Sequence, residues 1–458
     1  MKRKETTLAE SVGIIVLMLI VLTGCCCILR INEQMALLFC ALFLATYAGT
    51  KGYTAVEIEK MAIEGINSVT VALLINLCIG MLISAWISAG TFAYLIDVLI
   101  KVLHPRLFLT ESFLFCCIIS SLIGSCWLCV GTIGLILFSM GQNIGINLGL
   151  LMGAILGGAR FGASFSPISD TVNISVLLSG VRDVSLHIRA MLAVLAPAAG
   201  ACSLIYLCID SCSVRVIEDT KLIDLSELIA EEFYLSPINL LPAVILFAMI
   251  SLKKSTLLCM LASIITGAVV SIVPQGKSLY AIADILFYGY GGYIRSSEDV
   301  INIIFARGGV SSVMGMTITL IIGMSLSGIA NHLGLIKRVV NSLTNHVKTS
   351  RDAVALSLLF SIVGYGATGD SQPSKVIVGN AFSDIYERYN LERSVLSCSL
   401  EMTSFGEVLF PWTAGAVYYF SVFEIPVNRY WYFDFFCFFI HLICRIPLLI
   451  MLRTFALA

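Results

Sequence analysis

The chain has 458 residues, of which 58% are hydrophobic and only 12% are charged. That charged share is about half of what a soluble domain usually carries, and the mean hydropathy of +0.96 is too high for a protein that hides its apolar side chains from water. A net charge of −1 argues against binding to nucleic acid and against a polybasic surface role. We therefore expect an all-α polytopic membrane protein that is embedded in the lipid bilayer.

Apolar runs long enough to cross a bilayer, about 20 residues each, follow one another along the chain. They cover roughly residues 11–29, 34–49, 67–96, 149–179, 187–210, 237–252, 256–275, 309–332, 393–424 and 431–452. An acidic polar segment separates two similar halves. We expect N-terminal transmembrane helices at 1–50, a first repeat at 51–210, a linker with two transmembrane helices and an interfacial segment at 211–306, a second repeat at 307–425 and a C-terminal transmembrane helix at 426–458.

Two further apolar stretches, at about 110–140 and 353–383, are interrupted at 124–132 and at 364–373 by glycines and polar residues. Each is too long for one straight crossing and too short for two. Non-helical backbone is tolerated in a membrane only where protein or water surrounds it, so we expect re-entrant hairpins with polar tips. Ten crossings then place both termini in the cytoplasm and most clustered Lys and Arg residues in inner loops.

Three short patterns occur twice, about 240 residues apart. The Phe-Gly-x4-Pro pattern at 161–167 returns at 405–411, Ile-Gly-Met at 79–81 returns at 322–324, and 121–124 resembles 361–364. Five crossings separate the starts of the two copies, so the copies are predicted to be inverted. Inverted repeats with broken helices are typical of secondary transporters that bind their substrate between the repeats at mid-membrane depth.

Ionisable groups inside membrane segments are costly, and each is therefore a functional candidate. Asp170 follows Pro167, which removes a helix hydrogen bond and should unwind the helix. The freed carbonyls and the hydroxyls of Ser166, Ser169 and Thr171 would then offer hard oxygen ligands to Na+. A carboxylate at that depth can also take a proton, and one group that binds either ion gives antiport. The alternative is a kinked helix with capped ends and no ion.

The second copy and the hairpins supply further candidates. Asp370 and Glu401 are candidate cation or proton ligands, and Asp370 joins Asp170 as a candidate carboxylate ligand of Na+. Thr132 and Thr368 would add neutral oxygens. The candidates for contact with a substrate are Arg160, Asn173 and Glu407.

The run from 158 to 171, with Phe161-Gly162 and Ser166-Pro167-Ile-Ser-Asp170-Thr171, resembles the signature of the NhaC-type Na+/H+ antiporters of the ion-transporter superfamily. Further matching motifs lie at 80–91, 124–134, 307–309, 368–370, 400–401 and 411–412. The resemblance implies inverted repeats with hairpins and broken helices. It also implies exchange of Na+ for H+ or, in some members, of organic anions such as malate and lactate. Transported Na+ and H+ are then the only ions required, and no resident cofactor is expected. Oligomers are common in this superfamily, and the sequence leaves a homo-oligomer open.

The chain departs from the family pattern at three positions. Arg160 stands where the family usually has Tyr, Ala163 where it has Asp, and Met402 where it has the second acid of a Glu-Asp pair. Arg160 could occupy part of the cation site as a tethered cation, bind a substrate carboxylate as a planar fork, or pair structurally with Asp170 or Asp370. These three alternatives stay open.

Three functional hypotheses follow. The leading one is a Na+/H+ antiporter of the inner membrane, and the alternative is a Na+- or H+-coupled exchanger of small organic anions or amino acids, with Arg160 on the carboxylate. A membrane-embedded enzyme or sensor is the third. It lacks support because no HExxH, GxSxG or paired intramembrane Asp motif is present, and we do not expect an enzyme.

Overall fold

The computed structural model describes residues 6–443, except 26–28, 30, 68–69, 213–218, 253, 297, 336–337, 340–341, 343–346 and 411–412. Pro411 and Trp412 of the second predicted break lie outside the described residues, as do the outermost ends of the chain, which were predicted to be cytoplasmic. The described residues form helices joined by short loops, and no β-strand occurs among them. The predicted all-α membrane fold is confirmed.

The described residues of the first half form eleven α-helices. They are α1 Leu8–Thr23, α2 Glu33–Thr50, α3 Ala55–Asn67, α4 Thr70–Ser88, α5 Thr91–Val102, α6 Phe108–Ile123, α7 Cys126–Cys129, α8 Leu135–Asn143, α9 Leu148–Ser164, α10 Asp170–Ser179 and α11 Val184–Cys212. A π-helical segment, Val130–Gly134, joins α7 to α8.

Within the described part of the second half, the helices are α12 Asp219–Glu232, α13 Leu241–Ser251, α14 Thr256–Ile272, α15 Leu279–Tyr288, α16 Asp299–Phe305, α17 Met314–His332, α18 Ser350–Thr368, α19 Ser371–Arg388, α20 Arg393–Glu401, α21 Ala414–Phe423 and α22 Phe435–Ile443. A 3-10 helix, Met402–Leu409, continues α20.

Only some of these helices are long enough to cross a membrane. By length and composition four of the described helical segments can cross a membrane, or up to six if each bent pair counts as one span. The four are Pro105–Ile123, Cys126–Asn143, Val184–Cys212 and Val310–His332. The first two are the arms of the first interrupted stretch, so the prediction that this stretch is too short for two crossings is wrong by length. Other predicted crossings are broken or fall just short of 18 residues, such as α9 and α14.

The first interrupted stretch forms a hairpin. Gly124 adopts a left-handed φ of +74° that ends α6, and Ser125 caps α7. A Cβ on Gly141 would lie 3.2 Å from the ring of Phe108, so the open ends of the two arms meet. The arms therefore run in opposite directions from a tip at 124–125, which we call tip 1.

The second interrupted stretch folds in the same way. Gly369 ends α18 with a φ of +75°, and Asp370 caps α19. Ser357 and Tyr386 form a hydrogen bond of 2.9 Å near the open end, while Ser374 packs against Gly364 closer to the turn. This antiparallel pair has its turn at 369–370, which we call tip 2.

The two hairpins enter from opposite sides. Glycines on α9 pack against the α6 backbone in ascending order, Gly158 against Phe113 and Gly162 against Cys117, so the first arm of hairpin 1 runs parallel to α9. On hairpin 2, Lys375 of α19 bonds to Thr171 of α10, and Gly379 packs against Leu178, so α19 runs parallel to α10. Since α10 does not fold back along α9, the hairpins open in opposite directions. This is the inverted arrangement that the sequence predicts.

Close glycine packing generates the first prediction. A Cβ on Gly162 would lie 2.6 Å from the backbone nitrogen of Ser121, whereas one on Gly200 of α11 has no neighbour within 4 Å. We expect Gly162→Ala to lower the stability by about 1–3 kcal/mol through overpacking and Gly200→Ala to leave it unchanged or raise it by about 0.5–1 kcal/mol. Unfolding temperatures in detergent provide the measurement. Equal temperatures for the two variants would contradict the α6–α9 contact.

Candidate functional site

A buried cavity of about 140 Å³ lies where the two hairpin tips meet the two helix breaks. Its walls are formed by Ile75, residues 124–127 of hairpin 1, Arg160, Ala163 and Ser164 of α9, residues 169–171, Thr256, residues 370–372 of hairpin 2, Glu401, Ser404 and Glu407. Both repeats therefore contribute, as expected for a site between inverted repeats.

The first break, between α9 and α10, is held by side chains rather than by helical hydrogen bonds. Ser166 donates to the carbonyl of Ser121 at 2.8 Å, and the hydroxyls of Ser169 and Thr171 are 3.0 Å apart. The backbone freed by Pro167 is thereby joined to the last turn of α6. The break positions the first turn of α10, where Asp170 begins the helix.

Asp170 is exposed and lines the cavity. Among the described residues, no basic or hydrogen-bonding side chain contacts its carboxylate. The N-terminus of α10 favours a negative charge at this position through its helix dipole. Asp170 is therefore an accessible carboxylate that can accept a cation.

Tip 2 brings a second carboxylate to the same cavity. The Asp370 side chain accepts a hydrogen bond from the Gln372 backbone at 2.8 Å and is 8% exposed. The carbonyl of Gly369 accepts a hydrogen bond from the backbone of Ala414, at the start of α21, also at 2.8 Å. Tip 2 is thus joined to the far end of the second break, and no basic side chain within the described residues contacts Asp370.

Glu401 is fully buried and forms an ion pair. Its Oε2 atom lies 2.7 Å from Nζ of Lys375, whose side chain has no exposed surface. Thr171 donates to Oε1 at 2.9 Å and Ser175 donates to Oε2 at 2.7 Å. Lys375 also donates to the carbonyl of Thr171 at 3.0 Å. The carboxylate of the second repeat is therefore surrounded by groups from α10 and α19.

Arg160 forms a second buried ion pair. One of its terminal nitrogens lies 2.8 Å from Oε2 of Glu407, and the other donates to the carbonyl of Ser404 at 2.8 Å. Tyr419 donates to the same Glu407 oxygen at 2.7 Å. Asp170 and Asp370 were the predicted candidates for a structural partner of Arg160, and the structure gives it Glu407 instead.

The predicted site residues are only partly brought together. Those that line the cavity are Arg160, Ser169, Asp170, Thr171, Asp370, Glu401 and Glu407. Ser166, Thr132, Thr368 and Asn173 lie outside the lining. Thr132 and Thr368 donate within their own helical turns, to Leu128 and Gly364.

Lys375 is the residue that sequence reasoning missed. It is a lysine within the interrupted stretch 353–383, and an ionisable side chain in a membrane segment is a signal in itself. Lys375 is not among the predicted site residues, which were mainly carboxylates and hydroxyls. Ser175 and Tyr419, which complete the two ion pairs, carry no comparable signal because hydroxyls are common in membrane helices.

The charges of the site are unequal. Two basic groups, Arg160 and Lys375, face two of the four carboxylates, and the other two have no basic partner. In the described part of the chain, no three His, Cys, Asp or Glu side chains converge as metal ligands.

A family model described as "Na+/H+ antiporter family" matches residues 2–210 and 187–451. Curated relatives cover nearly the same length. The "Malate-2H(+)/Na(+)-lactate antiporter" of Bacillus subtilis is 27% identical over 93% of this chain and 90% of its own. The "Na(+)/H(+) antiporter NhaC" of Alkalihalophilus pseudofirmus is 26% identical over 95% of this chain and 94% of its own.

A third relative differs in its printed substrates. The "Arginine/ornithine antiporter" of Halobacterium salinarum is 28% identical over 88% of this chain and 84% of its own. The similarities thus include exchangers of inorganic ions, of organic anions and of amino acids.

The Arg160–Glu407 pair generates the second prediction. Removal of one partner leaves a buried charge unpaired, so Arg160→Met should lower the stability by about 3–5 kcal/mol. The double variant Arg160→Met/Glu407→Gln should recover much of the loss, since no charge remains unpaired. Unfolding temperatures in detergent test this, with exposed Arg189→Met as control. An Arg160→Met protein as stable as the wild type would contradict the pair.

Proposed function

The chain belongs to the Na+/H+ antiporter family, and on that premise we propose that it is a secondary active transporter that exchanges Na+ for H+. We place it in the inner membrane, with both termini in the cytoplasm. Na+ and H+ compete for the carboxylates of Asp170 and Asp370. The ions cross unchanged, so the activity is transport and not catalysis.

One observation carries this proposal. Of the four carboxylates around the cavity, Glu401 and Glu407 are paired with basic groups at 2.7 and 2.8 Å, whereas Asp170 and Asp370 are not. Asp170 opens to the cavity and Asp370 is buried beside it, and a carboxylate inside a membrane protein is costly unless a cation or a proton neutralises it. These two groups therefore have the strongest need for an exchangeable ion.

Neutral oxygens stand beside both carboxylates. Ser169 and Thr171 flank Asp170 and line the cavity. At tip 2, the Thr368 hydroxyl donates to the backbone carbonyl of Asp370 at 2.8 Å. Hydroxyl and carbonyl oxygens are the hard ligands that Na+ requires in addition to a carboxylate. The two aspartates come from different repeats, which suits a site that opens alternately to the two sides of the membrane.

The third prediction concerns the two aspartates. Asp170→Asn and Asp370→Asn should each abolish Na+-driven proton release, because an amide neither holds a proton nor attracts Na+ as a carboxylate does. At position 370 the amide oxygen can still accept the Gln372 hydrogen bond, so the hairpin tip should keep its fold. The assay uses inverted or reconstituted vesicles with an imposed pH gradient and an internal pH-sensitive dye.

Asp183→Asn is the matched control. Hydrogen bonds from Ser185 hold the pKa of Asp183 below its usual range, so this carboxylate is charged but lies in the loop after α10. It should exchange at the wild-type rate. A wild-type rate from Asp170→Asn would contradict our assignment of the exchanging carboxylate.

An exchanger of small organic anions or amino acids is the second candidate function. The relatives named for malate and lactate and for arginine and ornithine favour it. So does Arg160, because it lines the cavity and its buried Nε atom has no hydrogen-bond partner among the residues that the structure describes. A substrate carboxylate could accept from that nitrogen.

The fourth prediction separates the two candidates. If organic exchange is the function, labelled malate, lactate or arginine should enter proteoliposomes loaded with the same unlabelled compound, and Na+ alone should leave the pH gradient intact. If Na+/H+ exchange is the function, Na+ alone should dissipate the gradient and none of the three compounds should move. Empty liposomes and the Asp170→Asn protein serve as controls.

A further inference from the structure

We propose that Lys375 is a tethered cation that fills a cation site built by Glu401, Thr171 and Ser175, so that Glu401 exchanges no ion in this protein. The transport consequence rests on the proposed function, whereas the binding site itself does not. This proposal deepens the function by fixing which carboxylates are available to the transported ions.

The ligands around the ammonium group are those of a small-cation site. Nζ of Lys375 is 2.7 Å from Oε2 of Glu401 and 3.0 Å from the carbonyl oxygen of Thr171. The Ser175 hydroxyl bonds to both of these oxygens, at 2.7 and 3.0 Å. The Thr171 hydroxyl bonds to the other Glu401 oxygen at 2.9 Å. One carboxylate oxygen and one backbone carbonyl thus contact the positive charge, and the hydroxyls of Ser175 and Thr171 bond to these same groups.

The Lys375–Glu401 pair lies at the wall of the cavity, which distinguishes it from an ion pair that only stabilises the fold. Glu401 and Thr171 are part of the cavity lining, whereas the ammonium of Lys375 reaches the same oxygens from the second arm of hairpin 2. The charge therefore stands at the edge of the cavity that the transported ions use, and it is covalently fixed to the protein.

Removal of the ammonium would leave a site for a free ion. Glu401 would remain fully buried with no basic partner, and an unpaired buried carboxylate is strongly destabilising. The hydroxyls of Thr171 and Ser175 rotate freely and can present lone pairs in place of protons. Na+ is then able to occupy the position of Nζ with the same oxygens, and its binding should stabilise the folded protein.

The experiment measures Na+ binding as thermal stabilisation, in detergent and at constant pH, with choline chloride keeping the ionic strength equal. Lys375→Met retains the length of the side chain and removes its charge. We expect Na+ to raise the unfolding temperature of this variant by about 2 °C or more beyond its effect on the wild type. The double variant Lys375→Met/Glu401→Gln should lack this extra rise because its site carries no charge.

Lys101→Met is the matched control, since Lys101 pairs with Asp97 at 2.7 Å but is largely exposed. It should respond to Na+ as the wild type does. Equal Na+ responses of Lys375→Met and the wild type would overturn the proposal. So would a Lys375→Met protein that cannot be purified with or without Na+, because Na+ would then have failed to replace the ammonium. Purification only in the presence of Na+ would support it.

Failure of the proposed function has a different signature. Vesicles of the wild type would then show no Na+-driven proton movement, whereas the stability measurement on Lys375→Met would still report binding. If both hold, transport by the Lys375→Met protein should depend more steeply on Na+ concentration than transport by the wild type, because one more ion is bound.

Discussion

Backbone groups at membrane depth must bond to protein or to enclosed water, and this requirement shapes the centre of the molecule. Two helices are broken there and two hairpins turn there, which frees amides and carbonyls from their helical partners. At tip 2, the carbonyl of Gly369 accepts a hydrogen bond from the backbone N–H of Ala414. At the first break, the hydroxyl of Ser166 donates a hydrogen bond to the carbonyl of Ser121 in hairpin 1. Each hairpin is thus hydrogen-bonded to one of the two helix breaks, and a polar cavity forms where hairpins and breaks meet.

The same position inside the membrane requires that the charges around the cavity be balanced. Carboxylates can be buried together only if something neutralises them. Two are neutralised within the chain, by Arg160 and Lys375, and in the proposed function the other two are neutralised by transported ions. The division is chemical as well as numerical, because the paired groups are glutamates, with three partners on the Glu401 carboxylate and two on that of Glu407, whereas the Asp370 carboxylate accepts one backbone hydrogen bond.

The sequence predicts much of this arrangement and misses its pairings for a physical reason. Proline, glycine and polar residues inside apolar runs are local signals, so the breaks, the hairpin tips and the inversion of the repeats could be predicted. Ion pairs are not local. Arg160 meets Glu407 across 247 residues, and Thr171 meets Glu401 across 230. Periodicity and spacing contain no information about which of several buried charges will come within 3 Å.

The two repeats are joined by these same contacts. Arg160 of the first repeat binds Glu407 of the second, and Glu401 of the second accepts from Thr171 and Ser175 of the first. Arg160 has Ala163 one turn further along its own helix and takes its carboxylate from the other repeat. Any movement that pulled the repeats apart at this level would separate Arg160 from Glu407 and break the hydrogen bonds of Thr171 and Ser175 to Glu401, and a charge left buried without its partner costs several kcal/mol. Hairpin tips and broken helices of both repeats are consequently expected to move as one body, with the two unpaired aspartates inside it.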